Sequence, residues 1–479
     1  MNKHLHLITT LALLVLAPSS NGLHAASASQ PNVVVFLVDD FSAGALSAYG
    51  SDLHETPNID QLAASGAVFS QGYAACTVCS PSRAALLTGK APARTNLTDW
   101  IPGHSKRANG KKLIIPEWTK YMKHSEVTLP EALKEQGYAT AFVGKWHLMP
   151  FDSDVRRIAP ENLEVFEQHY PENHGFDVNI GGREWGQPKG KGKYFHPLNM
   201  LNMESKPGDF LTDRLTDYAV EFIESHNEEP FLLYFSYYTV HGPFMGKPEL
   251  VQKYKAKLAT GKFKHTDAVY AAMVESLDES VGRVMAKLKE TGVADNTLVI
   301  FTGDNGSARG IYAQTAGLRE LKGSAYEGGV REPFFISGLG IQANTQIDTP
   351  VISMDFYPTI LDLIGAPLKP QQHQDGVSLR PLLYGKGDIA ERSLFWHYPH
   401  YHRTAPYSAI VKDDMKLVEF LEHGKLELYN LKNDLGEEKN LASVMPEKTT
   451  QMLAELNAWR KDVDAQMMEI NPNYKKKKN

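Results

Sequence analysis

Short apolar runs alternate with helical patterns along most of the chain, and this alternation predicts an α/β fold. The run 33–38 contains no polar residue, which is typical of a parallel strand buried on both faces. Runs of the same kind predict further strands at 139–143, 231–237 and 298–301. Apolar residues at helical spacing predict helices at 128–136 and 270–290. The expected core is therefore a large, mostly parallel sheet sandwiched by helices.

The pattern changes beyond residue 385. Strands predicted at 408–411, 415–419 and 426–430 have the spacing of hairpins, and a predicted helix at 446–463 follows them. We therefore expect a smaller C-terminal antiparallel sheet packed by a terminal helix. The predicted organisation is a large domain at 29–385, a C-terminal subdomain at 386–468 and a basic tail at 469–479.

Residues 1–28 have the features of a signal peptide. Lys3 precedes an apolar run at 11–17, and small residues follow at 25–28. The run is too short to cross a bilayer, and no other stretch predicts a membrane span. We therefore expect an exported protein, periplasmic or secreted. The net charge of −6 gives no case for nucleic-acid binding.

Polar side chains of the kinds used in catalysis follow each of the four predicted parallel strands. In chain order they are Asp39 and Asp40, then Lys145 and His147, then His241, and finally Asp304 and Asn305. Ligands of open α/β sheets bind outside the carboxyl ends of the strands. The repeated pattern therefore predicts that these side chains meet at one edge of the sheet.

Four of these residues offer only oxygen ligands: Asp39, Asp40, Asp304 and Asn305. Carboxylate and amide oxygens suit a hard cation rather than zinc. Calcium is favoured over magnesium because the ligands come from separate loops and tolerate irregular geometry. The competing interpretation of Asp39 and Asp40 is an ordinary loop or capping pair.

The segment 76–90 contains both cysteines of the chain, and Cys79 lies where a helix is predicted to begin. Pro81 fits the first turn of that helix, and Gly89 fits its end. Cys79 would then lie at the positive end of the helix dipole, with Arg83 one turn later. Cys76 and Cys79 could instead form a redox pair or half of a zinc site. No Cys or His follows within the next twenty residues, which disfavours zinc.

The motif Cys-x-Pro-x-Arg at 79–83, followed by Thr-Gly at 88–89, resembles the signature of the formylglycine-dependent sulfatases of the alkaline-phosphatase-like superfamily. The sequence Gly-Lys-Trp-His at 144–147 and the segment 321–333 around Lys322 also resemble motifs of that family. The resemblance covers nearly the whole chain after residue 28. It implies that a separate formylglycine-generating enzyme oxidises Cys79 to formylglycine. It also implies one Ca²⁺ held by position 79 and the four oxygen ligands.

Cleavage of a sulfate ester needs a nucleophile, cations for the sulfate oxygens and an acid for the leaving group. The resemblance gives Lys145 and Lys322 as sulfate ligands and Arg83 as the group that holds the nucleophile's oxygen. His147 would orient or deprotonate the hydrated aldehyde at position 79, which attacks sulfur. His241 would contact the substrate and protonate the departing alcohol. The alternative for His241 is a structural histidine at a strand end.

Two insertions contain aromatic and cationic residues that suit sulfated sugars. These are Trp100, Lys106, Arg107, Trp118, Arg183, Trp185, Lys189 and Tyr194. The segment 396–403, which includes His400, is rich in His and Tyr and either reaches over the pocket or forms a strand with an aromatic core face. The phrases 96–103 and 174–182 resemble bacterial carbohydrate sulfatases. They favour 4-O-sulfated galactose or N-acetylgalactosamine in a polysaccharide, an algal galactan such as carrageenan or a chondroitin-type glycan.

Two other functions remain open at this level. One is a phosphodiesterase or phosphonate hydrolase of the same fold, and the other is a sulfated-glycan-binding protein in which Cys79 is never converted. The role of Cys76 is interpreted as packing.

Overall fold

The computed structural model describes residues 30–103, 108–151, 166–309 and 317–474. The predicted signal peptide, Lys106, Arg107 and the lysines at 475–478 lie outside these ranges. No helix within them has the length and apolarity that crossing a membrane requires.

The described part of the chain contains one large sheet, one smaller sheet and two short strand pairs. The strands are β1 Asn32–Val38, β2 Gly66–Phe69, β3 Gly72–Tyr73, β4 Leu113–Ile114, β5 Ala139–Gly144, β6 Val178–Ile180, β7 Phe231–Ser236, β8 Thr297–Gly303, β9 Phe334–Ser337, β10 Thr345–Ile347, β11 Val351–Ile352, β12 Leu394–Tyr398, β13 Tyr407–Lys412, β14 Met415–Phe420, β15 Lys425–Asn430 and β16 Glu469–Ile470. The large sheet has the order β10-β2-β9-β8-β1-β7-β5-β6. The strands β8, β1, β7, β5 and β6 run parallel, whereas β9 is antiparallel to both of its neighbours.

Helices cover both faces of this sheet, as the sequence predicts. The helices are α1 Pro57–Ala64, α2 Cys79–Thr88, α3 Pro92–Thr95, α4 Leu129–Lys134, α5 Leu211–Ser225, α6 Pro248–Ala259, α7 Ala268–Glu290, α8 Glu327–Val330, α9 Phe356–Leu363, α10 Arg380–Leu383 and α11 Pro446–Asp462. Helix α4 begins at the predicted position because Thr128 and Glu131 form a capping box. The fold class predicted from the sequence is confirmed.

Polar and apolar residues do not alternate along β1 because both of its faces are buried. Val33, Val35 and Leu37 pack on one face with residues of α2, α4 and α9. Val34, Phe36 and Val38 pack on the other face with residues of α1, α5 and α7. Since both faces are covered, every position of β1 is buried.

The second sheet is antiparallel, with the order β12-β13-β14-β15, and α11 packs on it through Met452 and Leu456. Its other face shares a hydrophobic cluster with Val78, which precedes α2, and with Ala85 of α2. The short strand β16 pairs with β4. The segment predicted as a basic tail therefore begins with residues that are paired to the large domain.

A buried charged cluster joins the two sheets. The Lys416 ammonium on β14 lies 2.8 Å from Glu327 of α8 and 3.1 Å from Glu437. Tyr73 and Arg331 also hydrogen-bond Glu327. Burial opposes ionisation of Glu327, but the Lys416 and Arg331 charges lower its pKa, whereas burial raises the pKa of Glu437 to about 7. Lys416 is thus paired with two buried carboxylates, Glu327 of the large domain and Glu437 of the C-terminal subdomain.

Candidate active site

The four strands that carry polar ends are neighbours in the centre of the sheet. The backbone pairs Val38 with Gly303, Leu37 with Ser236, and Ser236 with Gly144, so the carboxyl ends of β8, β1, β7 and β5 are level. The side chains that follow these strands therefore meet at one edge. The convergence predicted from the sequence is what the structure shows.

The turn after β5 depends on a glycine. Gly144 has φ +111°, and a Cβ atom at this position would lie 1.8 Å from the carbonyl oxygen of Ser236. Only a residue without a side chain lets β5 approach β7 this closely while the chain turns. Lys145 and His147 follow at once, and Lys145 N donates to the Ser236 carbonyl at 2.7 Å.

The four predicted oxygen ligands lie together at this edge. Asp39 Oδ1, Asp40 Oδ2 and Asn305 Oδ1 are buried and have no hydrogen-bond partner among the described residues. The Asn305 amide nitrogen donates to Asp40 at 2.8 Å and to the Gly306 carbonyl, which fixes the orientation of its oxygen. Asp304 Oδ1 accepts from Asp40 N at 3.1 Å. Buried oxygens that accept no hydrogen bond fit a hard divalent cation.

Two lysines pair with the aspartates that follow β1. Lys145 Nζ lies 2.6 Å from Asp39, and Lys322 Nζ contacts Asp40. Burial raises the pKa of Asp39 to about 8. Burial also opposes ionisation of Asp40, but the charge of Lys322 outweighs it and lowers the pKa of Asp40. Lys322 Nζ is also 4.0 Å from Cys79 Sγ, so it reaches both the aspartate and the predicted nucleophile.

Cys79 is the first residue of α2, as predicted, and Gly89 ends the helix with φ +65°. All ten residues of α2 are buried. Burial raises the pKa of the Cys79 thiol even though Lys145 and Lys322 act to lower it. Cys79 and Cys76 are both free thiols, and Cys76 packs in the cluster between the two sheets. The structure therefore agrees with a packing role for Cys76.

Arg83 lies on α2 one turn after Cys79, as the sequence predicts, and its charge acts on Cys79 from behind the cavity. Its guanidinium is 2% exposed and hydrogen-bonds Asp304 at 2.8 Å, the Lys145 carbonyl at 2.8 Å and Ser236. It is absent from the residues that line the cavity described below. The reason is electrostatic: a buried guanidinium is most stable between the carboxylates it neutralises. Arg83 therefore positions Asp304 and the loop after β5.

His147 faces Cys79 directly. Its Nδ1 lies 3.4 Å from Cys79 Sγ, while its Nε2 contacts the Ile101 carbonyl. A carbonyl can only accept, so Nε2 carries the proton and Nδ1 presents a lone pair to position 79. Burial, reinforced by the charge of Lys145, holds the pKa of His147 well below its usual value. His147 is therefore a neutral base at this site.

His241, like Lys322, lies beside Asp40. Its Nε2 is 3.4 Å from Asp40 Oδ2, and its Nδ1 is 2.8 Å from the Gly242 carbonyl. Burial lowers the pKa of His241 to about 4, against the charge of Asp40. The ring lines the cavity, so it can reach a bound ester as well as Asp40.

A cavity of about 640 Å³ opens above these residues. Its floor is Cys79, Asp40, His147, His241 and Lys322. Its walls are mostly apolar or aromatic, with one amide and several cationic side chains: Trp100, Ile101, Pro102, Phe151, Gln187, Lys189, Phe244, His402 and Arg403. A polar, charged floor below an aromatic wall is the usual arrangement of a site for a polar ligand with a ring.

Several residues predicted to contact sugar do not line this cavity. Arg183 pairs with Glu184 and stacks on Trp185, with 3.7 Å between the guanidinium carbon and the ring centre. His400 is 1% exposed and shares a hydrogen bond with Thr98 at 2.9 Å. The prediction for His400 is corrected because the side chain is buried, whereas Arg183 is partly exposed and its contact with sugar stays a prediction.

Of the other candidates, Trp100 and Lys189 line the cavity, while Trp118 packs edge-on against His400 and Tyr194 is buried. The segment 396–403 combines both interpretations offered above. Trp396 and Tyr398 face a hydrophobic core, whereas His402 and Arg403 line the cavity.

Phe151, Phe244 and Gln187 are lining residues that the sequence analysis did not single out. A single Phe or Gln in a loop belongs to no periodic pattern, so the sequence does not distinguish a residue that lines a cavity from an ordinary surface residue. His402 and Arg403 lie in the segment rich in His and Tyr, which indicated a site. Nothing in the sequence favoured them over His400 as the residues that line it.

Three histidines form a second cluster behind the loop of His147. His124 stacks on His174 with ring centres 4.7 Å apart, and His169 stacks on His124 at 5.3 Å. His174 also packs on Trp146, whose indole nitrogen donates to the His169 carbonyl at 2.8 Å. Burial and the neighbouring histidines lower the pKa of His174 to about 3 and that of His169 to about 4.

This cluster predicts a loss of stability in acid. Because the unfolded chain binds these protons near pH 6.5 and the folded chain only near pH 3 to 4, stability is full above pH 6.5 and falls below it. His174→Phe keeps the ring but not the titration. The unfolding free energy of both proteins, measured by urea denaturation, should fall between pH 6.5 and pH 5. The fall should be about 2 kcal/mol smaller in the variant than in the wild type. Parallel curves for the two proteins would contradict this, and the exposed His423→Phe serves as control.

Comparison with known proteins agrees with this geometry. Residues 31–366 match the family model for sulfatases, and residues 322–464 match the model for the C-terminal region of N-sulphoglucosamine sulphohydrolase. A sulfatase of Formosa agariphila is 33% identical over 90% of this chain and 88% of its own. The N-acetylgalactosamine-6-sulfatase of Mus musculus is 32% identical over 81% of this chain and 73% of its own.

Solved structures agree as well. The crystal structure of Ps i-CgsB superposes with a TM-score of 0.74 at 27% identity, covering 90% of this chain and 93% of that protein. A complex of Ps i-CgsB with k-i-k-neocarrahexaose gives the same TM-score at 26% identity and the same coverage.

The fold and the site define a hydrolase of the alkaline-phosphatase-like superfamily. The chain belongs to the sulfatase family, and it is a sulfuric ester hydrolase. The family predicted from the motifs at 79–89 and 144–147 is thereby confirmed. Sulfatases generally use formylglycine and a divalent metal, and the residues described above fit both.

Proposed function

We propose that the chain is an exported carbohydrate sulfatase. Its substrate is a 4-O-sulfated galactose or N-acetylgalactosamine unit of a polysaccharide, with carrageenan as the leading example and chondroitin-type glycans as the second. The observation that carries the proposal is the cavity, in which an anion-binding floor lies below an aromatic wall. The complex of Ps i-CgsB with a neocarrahexaose supports a galactan.

The proposed ligands of one Ca²⁺ are Asp39, Asp40, Asp304, Asn305 and the oxygen of a modified residue 79. Bound there, the cation would stabilise negative charge on the attacking and sulfate oxygens. Formylglycine, made from Cys79 by a maturation enzyme, would supply a hydrated aldehyde whose two hydroxyls serve as nucleophile and as the means of expelling sulfate.

The residues of the chain would do the rest. Lys145 and Lys322, which lie at Asp39 and Asp40, would neutralise the sulfate oxygens. The His147 lone pair, 3.4 Å from position 79, would accept the proton of the hydroxyl. His241, which also lines the cavity, would donate a proton to the departing sugar oxygen as the sulfur–oxygen bond breaks, from the protonated form that the charge of Asp40 favours.

The role of His241 as acid can be separated from a structural role by the leaving group. His241→Ala should lower kcat on a sulfated sugar about 10²- to 10⁴-fold, because an alkoxide leaves badly without a proton. The loss on 4-nitrophenyl sulfate should be far smaller, since its phenolate leaves unprotonated. Equal losses on both substrates would mean that His241 only holds the strand end. His226→Ala, between the end of α5 and the start of β7 and outside the cavity lining, serves as control.

The function itself is tested by a panel of sulfated oligosaccharides with released sulfate as the readout. We expect turnover of 4-O-sulfated carrageenan and chondroitin fragments. Turnover of 2- or 6-sulfates alone would overturn the 4-sulfate assignment, and the absence of sulfate release from any sugar would overturn the carbohydrate assignment.

A further inference from the structure

A second groove of about 440 Å³ adjoins the catalytic cavity. Lys111, Tyr401, Thr404, Ala405 and Glu422 line it, together with two residues that also line the catalytic cavity, His402 and Arg403. The two depressions are thus separated only by one dipeptide of the C-terminal subdomain. Neither the sequence motifs nor the matched family regions assign a role to this groove.

The dividing dipeptide is fixed to the sulfate-binding segment. Arg403 N donates to the Gly323 carbonyl at 3.0 Å, and Arg403 Nε donates to the Lys322 carbonyl at 3.2 Å. Gly323 has φ +79°, and a Cβ atom there would lie 1.7 Å from His402 Nδ1. The backbone of Lys322 and Gly323 therefore lies directly beneath His402 and Arg403. A ligand that bridges the two depressions would cross beside the lysine that binds sulfate.

The walls of the second groove suit a sulfated ring. The exposed Lys111 lies 5.2 Å from the centre of the Tyr401 ring, and exposed Arg403 supplies a second cation. Glu422 is the acidic residue here, and the Tyr401 hydroxyl donates to it at 2.8 Å while accepting from Leu113 N. The Tyr401 ring is therefore fixed in orientation. Tyr401 is only 6% exposed, so its ring backs the groove, and the exposed cations Lys111 and Arg403 are the groups that can bind a sugar carrying an anionic group.

We propose that this groove binds the next sulfated sugar of the same glycan when the reacting sugar occupies the catalytic cavity. The inference rests on the proposed function and deepens it. The enzyme then acts on oligosaccharides and polymers in preference to sulfated mono- or disaccharides, and Lys111 and Tyr401 contribute to substrate length preference without touching the reacting atoms.

The test compares two lengths of one substrate. Wild type and Lys111→Ala are assayed on a 4-O-sulfated carrageenan disaccharide and on the hexasaccharide of the same series. Lys111→Ala should raise KM about five- to tenfold for the hexasaccharide, with kcat unchanged, and leave the disaccharide within about twofold. Tyr401→Ala should act in the same direction. Lys255→Ala, an exposed lysine on α6, is the matched control and should change neither.

The outcomes separate the two proposals. An unchanged KM for the hexasaccharide, or an equal rise for both lengths, would overturn the groove assignment while leaving the sulfatase assignment intact. A wild type that hydrolyses neither length but cleaves another sulfate ester would overturn the substrate assignment, and the groove assignment with it.

Discussion

Replacing Cys79 with alanine should lower sulfatase turnover by more than about 10⁴-fold, while the protein stays folded. The physical reason is that position 79 faces the proposed base and a proposed sulfate ligand: His147 Nδ1 lies 3.4 Å and Lys322 Nζ 4.0 Å from Cys79 Sγ. Cys79→Ser should be inactive too, because a single hydroxyl offers no second oxygen with which to expel sulfate. Released sulfate and thermal unfolding are the two measurements.

The chain contains its own control for this experiment. Cys76 is also a buried free cysteine, three residues away, but it packs between the sheets. Cys76→Ala should keep activity within about threefold. Mass spectrometry of the peptide holding residue 79 should find the aldehyde in active wild type. Full activity in a preparation that carries only the Cys79 thiol would refute the proposed nucleophile.

The largest effect on stability should come from Lys416→Met. The change leaves Glu327 and Glu437 buried and facing each other without the lysine that joins them. Removing one partner of a buried ionic cluster costs about 3–5 kcal/mol of unfolding free energy. The cost at pH 7 should shrink at pH 5, because Glu437, whose pKa burial already raises to about 7, then takes a proton readily.

Chemical denaturation at both pH values measures this effect. Lys412→Met on the neighbouring strand is the matched control. Its ion pair with Glu455 spans 3.2 Å and is partly exposed, so its loss should cost less than about 1 kcal/mol. Adding Glu437→Gln to Lys416→Met should recover part of the stability, since one buried charge is removed. Equal costs for the two lysine variants would show that the cluster does not hold the domains together.

Much of the site follows from local sequence because it is built on strand ends. Asp39 and His241 could be placed at one edge of the sheet because an unbroken apolar run identifies a buried parallel strand. The helix at Cys79 was predictable for a similar reason, since Pro81 and Gly89 determine its ends. These are signals that a residue and its near neighbours carry.

What could not be predicted depends on partners far along the chain. Arg83 follows the nucleophile by one turn, which suggests an anion ligand, yet Asp304 takes its guanidinium. His400 and Arg403 lie in the same polar and aromatic segment, and the sequence does not indicate which of them faces the cavity. The fold of the loop after β12 buries His400 against Thr98. The pairing of β16 with β4 is likewise set by tertiary contact and not by any strand pattern.

The complete burial of helix α2 also constrains when the enzyme can be made active. Cys79 is 2% exposed, and Arg83 of the same helix pairs with Asp304, 221 residues later. The proposed maturation enzyme would have to reach Cys79 before the residues up to β8 have been added and have folded over it. The proposed conversion of Cys79 therefore competes in time with the folding of the large domain. A chain that closes its sheet first keeps an inert thiol, so slower folding of the first domain should raise the yield of active enzyme.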